Sequence, residues 1–233
     1  MLIELEKTVV ELGINGPFIR LTPLKTIQDT LSSHNHKDAQ TIIGVGGDAL
    51  FFDLLDFACN RPLTLGMVAL VPSPILRHLG ISEGLSGCRT VAQRITKPID
   101  CGKINQRYFF SQVSIPASYQ ISLDGRFQLQ MDGSEQSIAN DFFTVINIDF
   151  NRVQPPSTHS LRLEIIRKSK KLFRSENKNC GSFIFSTLKI FGAGDSPIIA
   201  DGQKSFKPPV EISIAPGALK MIVGKNRHSL FQQ

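Results

Sequence analysis

The stretch Thr41-Ile42-Ile43-Gly44-Val45-Gly46-Gly47-Asp48 decides how this chain is read. Three residues that favour extended backbone lead into glycines, and the run Ala49-Leu50-Phe51-Phe52-Asp53-Leu54-Leu55 that follows has a helical character. A strand, a glycine turn and a helix in that order present backbone N–H groups at a helix N-terminus, where the dipole favours an anion such as phosphate. Glycine there permits positive φ and close backbone approach. The same residues equally suit a tight connection with no ligand, in which Asp48 caps the helix. The remainder of the chain has to decide between the two.

Downstream, Leu63 to Val71 is a nearly continuous apolar run, as expected for a strand buried on both faces. Upstream, Leu2, Leu5, Val9 and Leu12 fall at helical spacing and stop at Gly13 and Gly16-Pro17. Phe18 to Thr22 reads as a strand, and Leu24, Ile27 and Leu31 line a second helix that ends in the polar run Ser32 to Asp38. Strands separated by helices predict a parallel sheet covered by helices. Ligands of such sheets sit beyond the carboxyl ends of the strands, where Thr22 and Gly46-Gly47-Asp48 are expected.

From Ile99 onward the pattern changes. Tyr108 to Ile115, Tyr119 to Leu123, Arg126 to Met131, Phe142 to Phe150, Leu161 to Ile166, Ser182 to Phe191, Val210 to Ile214 and Leu219 to Val223 are short strand-like runs. Turn signals separate them at Asp124-Gly125, Asp132-Gly133, Pro155-Pro156, Gly192-Ala193-Gly194 and Pro216-Gly217. The fold class predicted is α/β plus all-β. A Rossmann-like α/β domain over residues 1–106 precedes an antiparallel β-sandwich over 107–233, the last strands being free to return to the first domain.

Composition narrows the function classes. With 233 residues, 41% of them hydrophobic and 20% charged, the chain can bury a core and is not a disordered tail. The net charge of +6 is concentrated locally, with Arg167, Lys168, Lys170, Lys171 and Arg174 in one short stretch. Such a run is a solvated face or a patch for anionic headgroups. No aromatics alternate with it as on a base-stacking surface, so nucleic acid is not expected. Cys59, Cys88, Cys101 and Cys180 make no Cys-x-x-Cys pair and read as buried thiols of a reducing cytosol. The start lacks the basic and apolar regions of a signal peptide, and no apolar run is long enough to span a bilayer. A cytoplasmic protein is the expectation.

Five motifs in order carry a resemblance. Gly44-Val45-Gly46-Gly47-Asp48 is similar to the Gly-Gly-Asp-Gly-Thr nucleotide loop of the diacylglycerol and sphingosine lipid kinase family. Leu65-Gly66-Met67-Val68-Ala69-Leu70 resembles the strand leading to that family's second loop, and Leu79-Gly80-Ile81 the segment after it. Pro98 to Asn105 resembles its crossover into the second domain. Asp201-Gly202-Gln203 and Ile212 to Lys220 resemble its Asp-Gly-Glu turn and last strands. The resemblance implies an NAD kinase/diacylglycerol kinase-like fold, ATP and Mg as cofactors of an active member, and phosphoryl transfer to a lipid hydroxyl. It places nucleotide contacts at Thr22, Gly46, Gly47 and Asp48, and the catalytic turn at Asp201 and Gln203.

The departures from that pattern are concentrated at its chemistry. The family's first strand, with its Asn-bearing loop, has no counterpart in the sequence, which opens on what resembles the first helix. The Gly-Thr after the aspartate is Ala49-Leu50, which adds a methyl group and removes a phosphate-bonding hydroxyl. The second loop is Val71-Pro72-Ser73-Pro74, and each proline removes an N–H donor. The family's magnesium-holding Asp-Gly appears as Thr158-His159, so no metal ligand is expected. Its general base is Gln203, whose amide has no useful basicity, and loss of a positioned base costs about 10²–10⁴-fold. Asp201 is close in sequence but alternates to the other face of a strand, and Asp201-Gly202 also suits a plain turn. Thr22 could equally cap the following helix, and the phenylalanines suit a core better than a lipid groove.

The expectation is therefore a degenerate relative of ATP-dependent lipid kinases that acts as a binding or interaction module. An active lipid kinase and an NAD-kinase-like protein are the alternatives. Partners compatible with such a shell are a nucleotide or lipid ligand, an anionic membrane touched peripherally, and a second copy completing the sheet edge as a homodimer.

Overall fold

The computed structural model describes residues 2–22, 27–33, 39–116, 119–125, 127–129, 142–148, 160–171, 174–192 and 196–225. The chain divides into two compact units, residues 1–99 with 217–233, and residues 100–216.

The first unit is built on a parallel sheet. After helix α1 (Leu2–Glu11) and helix α2 (Ile27–Ser33) come strand β1 (Thr41–Gly46), helix α3 (Asp48–Cys59) and strand β2 (Thr64–Ala69). Two short helices follow, α4 (Pro74–His78) and α5 (Leu85–Ala92). β1 runs parallel to β2 from Thr41 opposite Thr64 to Gly46 opposite Ala69. All six residues of β2 are buried, as the continuous apolar run predicts. Alternation along the strand sends Met67 towards α3, beside Leu54 and Gly44, while Val68 joins Leu5, Val9, Cys88, Val91 and Ile222 on the opposite face. Helix α1 ends as its sequence demands. Gly13, at φ +72°, donates to Val10, and Ile14 donates to Val9 and packs against the same cluster as Val9. That is a Schellman cap with its hydrophobic contact.

The second unit is a pair of antiparallel sheets. Strand β3 (Thr96–Ile104) turns into β4 (Arg107–Phe109), followed by β5 (Gln112–Pro116), β6 (Gln120–Leu123), β7 (Phe127–Leu129) and β8 (Phe142–Ile148). Then come β9 (Leu161–Lys171), β10 (Arg174–Phe185), β11 (Thr187–Phe191), β12 (Ile198–Ala200), β13 (Lys204–Phe206) and β14 (Val210–Ile222). One sheet runs in the order β10-β9-β8-β5-β12-β13; the other joins β14, β11, β6 and β7, with β3 and β4 at its side. One core lies between them, drawn from both sheets: Val113, Ile115, Ile146, Leu161 and Leu163 from the first, Ile121, Leu123, Leu188, Ile190 and Ile212 from the second. This is the expected sandwich. The hairpin at Asp124-Gly125 forms as expected, both residues adopting positive φ.

Several sequence expectations are corrected. Phe18 to Thr22 is not a strand. It is exposed, Phe18 at 52% and Leu21 at 46%, and no described strand pairs with it; an extended segment without a neighbour has no ladder to join. The run Tyr108 to Ile115 is two strands broken at Phe110-Ser111, where the backbone N–H groups turn to the Asp201 carboxylate. The run Ser182 to Phe191 breaks at Ser186, because the N–H groups of Ser186 and Thr187 both donate to Asp124 Oδ1. Conversely, Pro216-Gly217 does not end a strand. β14 continues through it, pairing with β11 at residues 210–213 and with β2 at 220–221, while Gly217 takes φ +58°. Leu24, His34 to Asp38, Asp132-Gly133, Pro155-Pro156 and Ala193-Gly194 lie outside the described residues.

The cysteines are all thiols, but only Cys88 and Cys101 are buried; Cys59 is half-buried and Cys180 exposed, at the register shift in β10. Burial pushes the Cys88 thiol above its ordinary pKa, which lowers its thiolate fraction. Iodoacetamide at neutral pH is therefore expected to modify Cys180 first and Cys88 only after urea unfolding, as read by peptide mass spectrometry. Gly102 gives a second test. A Cβ there would overlap the ring of the fully buried Phe109. Gly102→Ala should cost about 2 kcal/mol in urea unfolding through overpacking; an unchanged midpoint would mean that the ring has room to swing aside.

Candidate functional site

The first candidate region lies where β1 meets α3. The sequence suggested a glycine turn over Gly44 to Gly47, but Gly44 and Gly46 belong to β1 and only Gly47 connects strand to helix. Gly47 is the N-cap residue with φ −110° and ψ −163°, ordinary extended backbone. Asp48 is thus the first helical residue and not the cap, and none of these glycines adopts positive φ. What they supply is space. A Cβ at Gly44 would stand 2.7 Å from both Leu54 Cδ1 and the Met67 sulfur. At Gly46 it would stand 2.8 Å from Leu50 Cδ2, and at Gly47 3.0 Å from Val71 Cγ2. Apolar side chains of the protein itself stand against each of these glycines.

The second loop is attached to the same place. Ser73 caps α4, its hydroxyl oxygen accepting from the Leu76 N–H at 2.9 Å, and Pro74 follows at the first helical position, where its missing donor costs nothing. The Ser73 hydroxyl also donates to Asp48 Oδ1. Ser73 is 3% exposed and Asp48 half-buried, and their carboxylate–hydroxyl bond ties the start of α3 to the start of α4. The sequence suggests residues 71–74 only as a loop short of N–H donors. The Ser-Pro pair is a helix-start signature, and that signal could have placed α4.

Thr22 is exposed in the coil that follows α1 and ends no strand. Residues 23–26 lie outside the described residues, and so do Thr158 and His159. Among the described residues no three His, Cys, Asp or Glu side chains gather as a metal site would require.

The second candidate region is the turn between β12 and β13, within the other unit. Asp201 and Gly202 both adopt positive φ, +50° and +71°, and Gln203 is exposed with its N–H donating to Ala200 O at 3.1 Å. Asp201 is 7% exposed and its carboxylate is fully engaged. Oδ2 accepts from Phe110 N–H at 2.9 Å. Oδ1 accepts from Ser111 N–H at 2.7 Å, the Ser111 hydroxyl at 2.8 Å and Gln112 N–H at 3.3 Å. With this many donors the carboxylate organises the β4–β5 break. The side chain does not simply alternate to the far face of a strand, as the sequence suggested, because residue 201 is in the turn. Beside it Lys204, 5% exposed, donates from Nζ to Tyr108 O at 2.7 Å.

At Gly46 and Gly47 the apolar side chains of Leu50 and Val71 fill the approach, and Pro72 and Pro74 bring no N–H donor.

The fold is that of the diacylglycerol and NAD kinases: a mixed α/β sheet together with an antiparallel sandwich. A protein designated a diacylglycerol kinase from Bacillus anthracis str. Sterne superposes with a TM-score of 0.71 at 13% identity, covering 96% of this chain and 91% of that one. A second structure so designated from the same source gives 0.59 at 15% identity over 80% and 78%. An NAD kinase from Archaeoglobus fulgidus in complex with ATP gives 0.55 at 12% identity over 97% and 90%. No family model matches the sequence. No curated protein matches it significantly either.

The geometry at Asp201 yields a prediction. Asp201→Ala should lower the unfolding free energy by about 3 kcal/mol, because buried N–H donors lose a charged acceptor. The loss should be the same with and without ATP and Mg²⁺ in a urea titration.

Proposed function

We propose that this chain is a degenerate relative of the ATP-dependent lipid kinases, with phosphoryl transfer weak or absent, and that it acts as a binding or interaction module. The observation that carries this reading is the occupancy of the glycine space. Leu50 and Val71 lie within 3.0 Å of where Cβ atoms would stand on Gly46 and Gly47. A phosphate there would have to displace apolar side chains and would find two prolines among its nearest would-be donors.

Three further features agree with it. Asp48 receives the Ser73 hydroxyl and so is already partnered within the protein. Asp201 already accepts hydrogen bonds from Phe110, Ser111 and Gln112, so its oxygens are turned to the protein's own backbone. Gln203 stands on an exposed turn with an amide that takes up no proton near neutrality. An active lipid kinase would need a carboxylate placed for the incoming hydroxyl.

One observation favours a nucleotide-binding alternative, in which the chain acts as an NAD-kinase-like or lipid kinase. The NAD kinase of like fold was solved in complex with ATP. The two readings separate in one titration. Calorimetry with ATP and Mg²⁺ is expected to give no saturable binding in the micromolar range, and transfer of labelled phosphate to diacylglycerol or to NAD is expected to stay at background. Micromolar affinity with turnover on either acceptor would overturn the proposal. Gln203→Glu alone is expected to leave transfer at background, since the loops around Gly46 and Ser73 are unchanged. A robust gain of turnover in that variant would refute the argument from the loops.

A further inference from the structure

Strand β1 ends its sheet: the order begins β1-β2-β14, and among the described residues no strand lies beyond β1. Its hydrogen bonds show which groups that leaves open. The carbonyls of Gln40 and Gly46 accept from the N–H groups of Thr64 and Leu70, on the β2 side. Backbone direction alternates along a strand, so residues 40, 42, 44 and 46 turn to β2, in step with an unbroken register. The N–H and C=O groups of Thr41, Ile43 and Val45 therefore point to the open edge, where no described residue bonds to them. Only Gly44 of β1 is fully buried, whereas β2 is buried throughout.

An open edge is a template for another strand, and proteins blunt it with lysine, proline, a bulge or an inward charge. Thr41 to Gly46 carries none of these. The segment is instead matched to itself. An antiparallel copy laid along it about a two-fold axis at Ile43 sets Ile43 opposite Ile43 and Thr41 opposite Val45, each pair exchanging both N–H···O bonds. The side chains that meet on that face are all β-branched, a pairing that sheets favour. On the other face Ile42 stands opposite Gly44, where no side chain competes for its place. Ile43 and Val45 pack with Ile14 on the α1–α5 side of the sheet, and the coil continuing from Ile14 exposes Phe18 and Leu21. Apolar surface thus extends from the edge onto that coil.

We propose that a second copy of this chain pairs along β1, antiparallel about a two-fold axis at Ile43, and joins the two sheets into one. A second copy is favoured over a foreign extended peptide because the match requires the same residues on both strands. β1 itself offers no charged side chain by which a peptide of another sequence would be selected. The pairing is isologous and uses up the β1 edge of both copies, so the assembly closes at two. Neither the pairing nor its test involves nucleotide, so it stands apart from the reading of the glycine site.

The test is sedimentation equilibrium of the full chain from about 1 µM to about 100 µM, a span that covers modest affinities. Amide hydrogen exchange, read by mass spectrometry with electron-transfer fragmentation, accompanies it. The mass is expected to reach twice 25.7 kDa at the upper end. The amides of residues 42, 44 and 46 turn to β2 and should be protected in monomer and dimer alike. Those of Thr41, Ile43 and Val45 should be protected only in the dimer. Thr41→Pro removes an outward donor at the first residue of the strand, where proline is tolerated, and should weaken association at least about tenfold. Ile43→Lys sets two ammonium groups against each other at the axis and should leave a monomer. Urea unfolding checks that both variants are folded, and the wild-type exchange pattern decides the matter if either is not. A mass of 25.7 kDa throughout, growth beyond the dimer, a dimer whose Thr41, Ile43 and Val45 amides stay unprotected, or undiminished association of a folded Ile43→Lys variant would each overturn the proposal.

Discussion

Helix α3 can approach β1 closely because the strand gives up its side chains where the helix crosses it. Leu54 and Met67 share the space over Gly44, and Leu50 occupies that over Gly46. A methyl group at either position would meet these atoms at 2.7–2.8 Å and push the helix or its side chains outward. The start of α3, the position of Asp48 and its bond to Ser73 all follow from that contact. A glycine-rich strand end therefore has two uses, and the residue filling the vacated volume tells them apart. Here that residue is the protein's own leucine.

The same economy explains why α4 starts where it does. Its N-cap hydroxyl serves two partners at once, accepting from the Leu76 N–H and donating to Asp48. One short helix thus fixes the loop after β2 against the helix after β1. In the second unit, two other carboxylates play a comparable part. Asp201 gathers the N–H groups that β4 and β5 leave unpaired at their break, and Asp124 those at the β10–β11 break. Backbone donors left out of a ladder need partners, and a side-chain anion in a neighbouring turn is a strong one.

Periodicity carried most of the fold. The alternation of α1, β1, α3 and β2, the fully buried β2 and the Asp124-Gly125 hairpin were legible because each rests on local pattern or turn chemistry. The breaks at Phe110-Ser111 and Ser186 were not, since no residue there signals a turn and the cause is a carboxylate distant in sequence, Asp201 or Asp124. The Pro216-Gly217 pair misled for the opposite reason. It is a strong local turn signal, overridden where β14 exchanges its partner β11 for β2. Phe18 to Thr22 has strand-like residues, but a strand exists only through a neighbour, and pattern alone cannot supply one. At the candidate site the substitutions Ala49-Leu50 and Pro72/Pro74 were legible as losses. That Leu50 and Val71 would fill the glycine space was not, because it depends on side-chain directions across two loops.

On the proposed reading, the residues at the glycine site have a common physical sense. In a nucleotide site, donors and glycine space are kept available for a ligand and are costly to the unliganded protein, since unfilled volume and unpaired donors destabilise it. Leucine over Gly46, valine near Gly47, prolines without donors and a serine bound to Asp48 each remove one such cost. On the proposed reading they replace ligand contacts by packing and capping contacts within the protein. Substitutions that improve stability at the expense of a binding surface are the expected course once the ligand no longer constrains them. On the proposed reading these features weigh together: Pro72 and Pro74 bring no N–H donor, Leu50 and Val71 stand against Gly46 and Gly47, and Asp48 is bound to Ser73, whereas a kinase with merely unusual residues would exchange one phosphate donor for another.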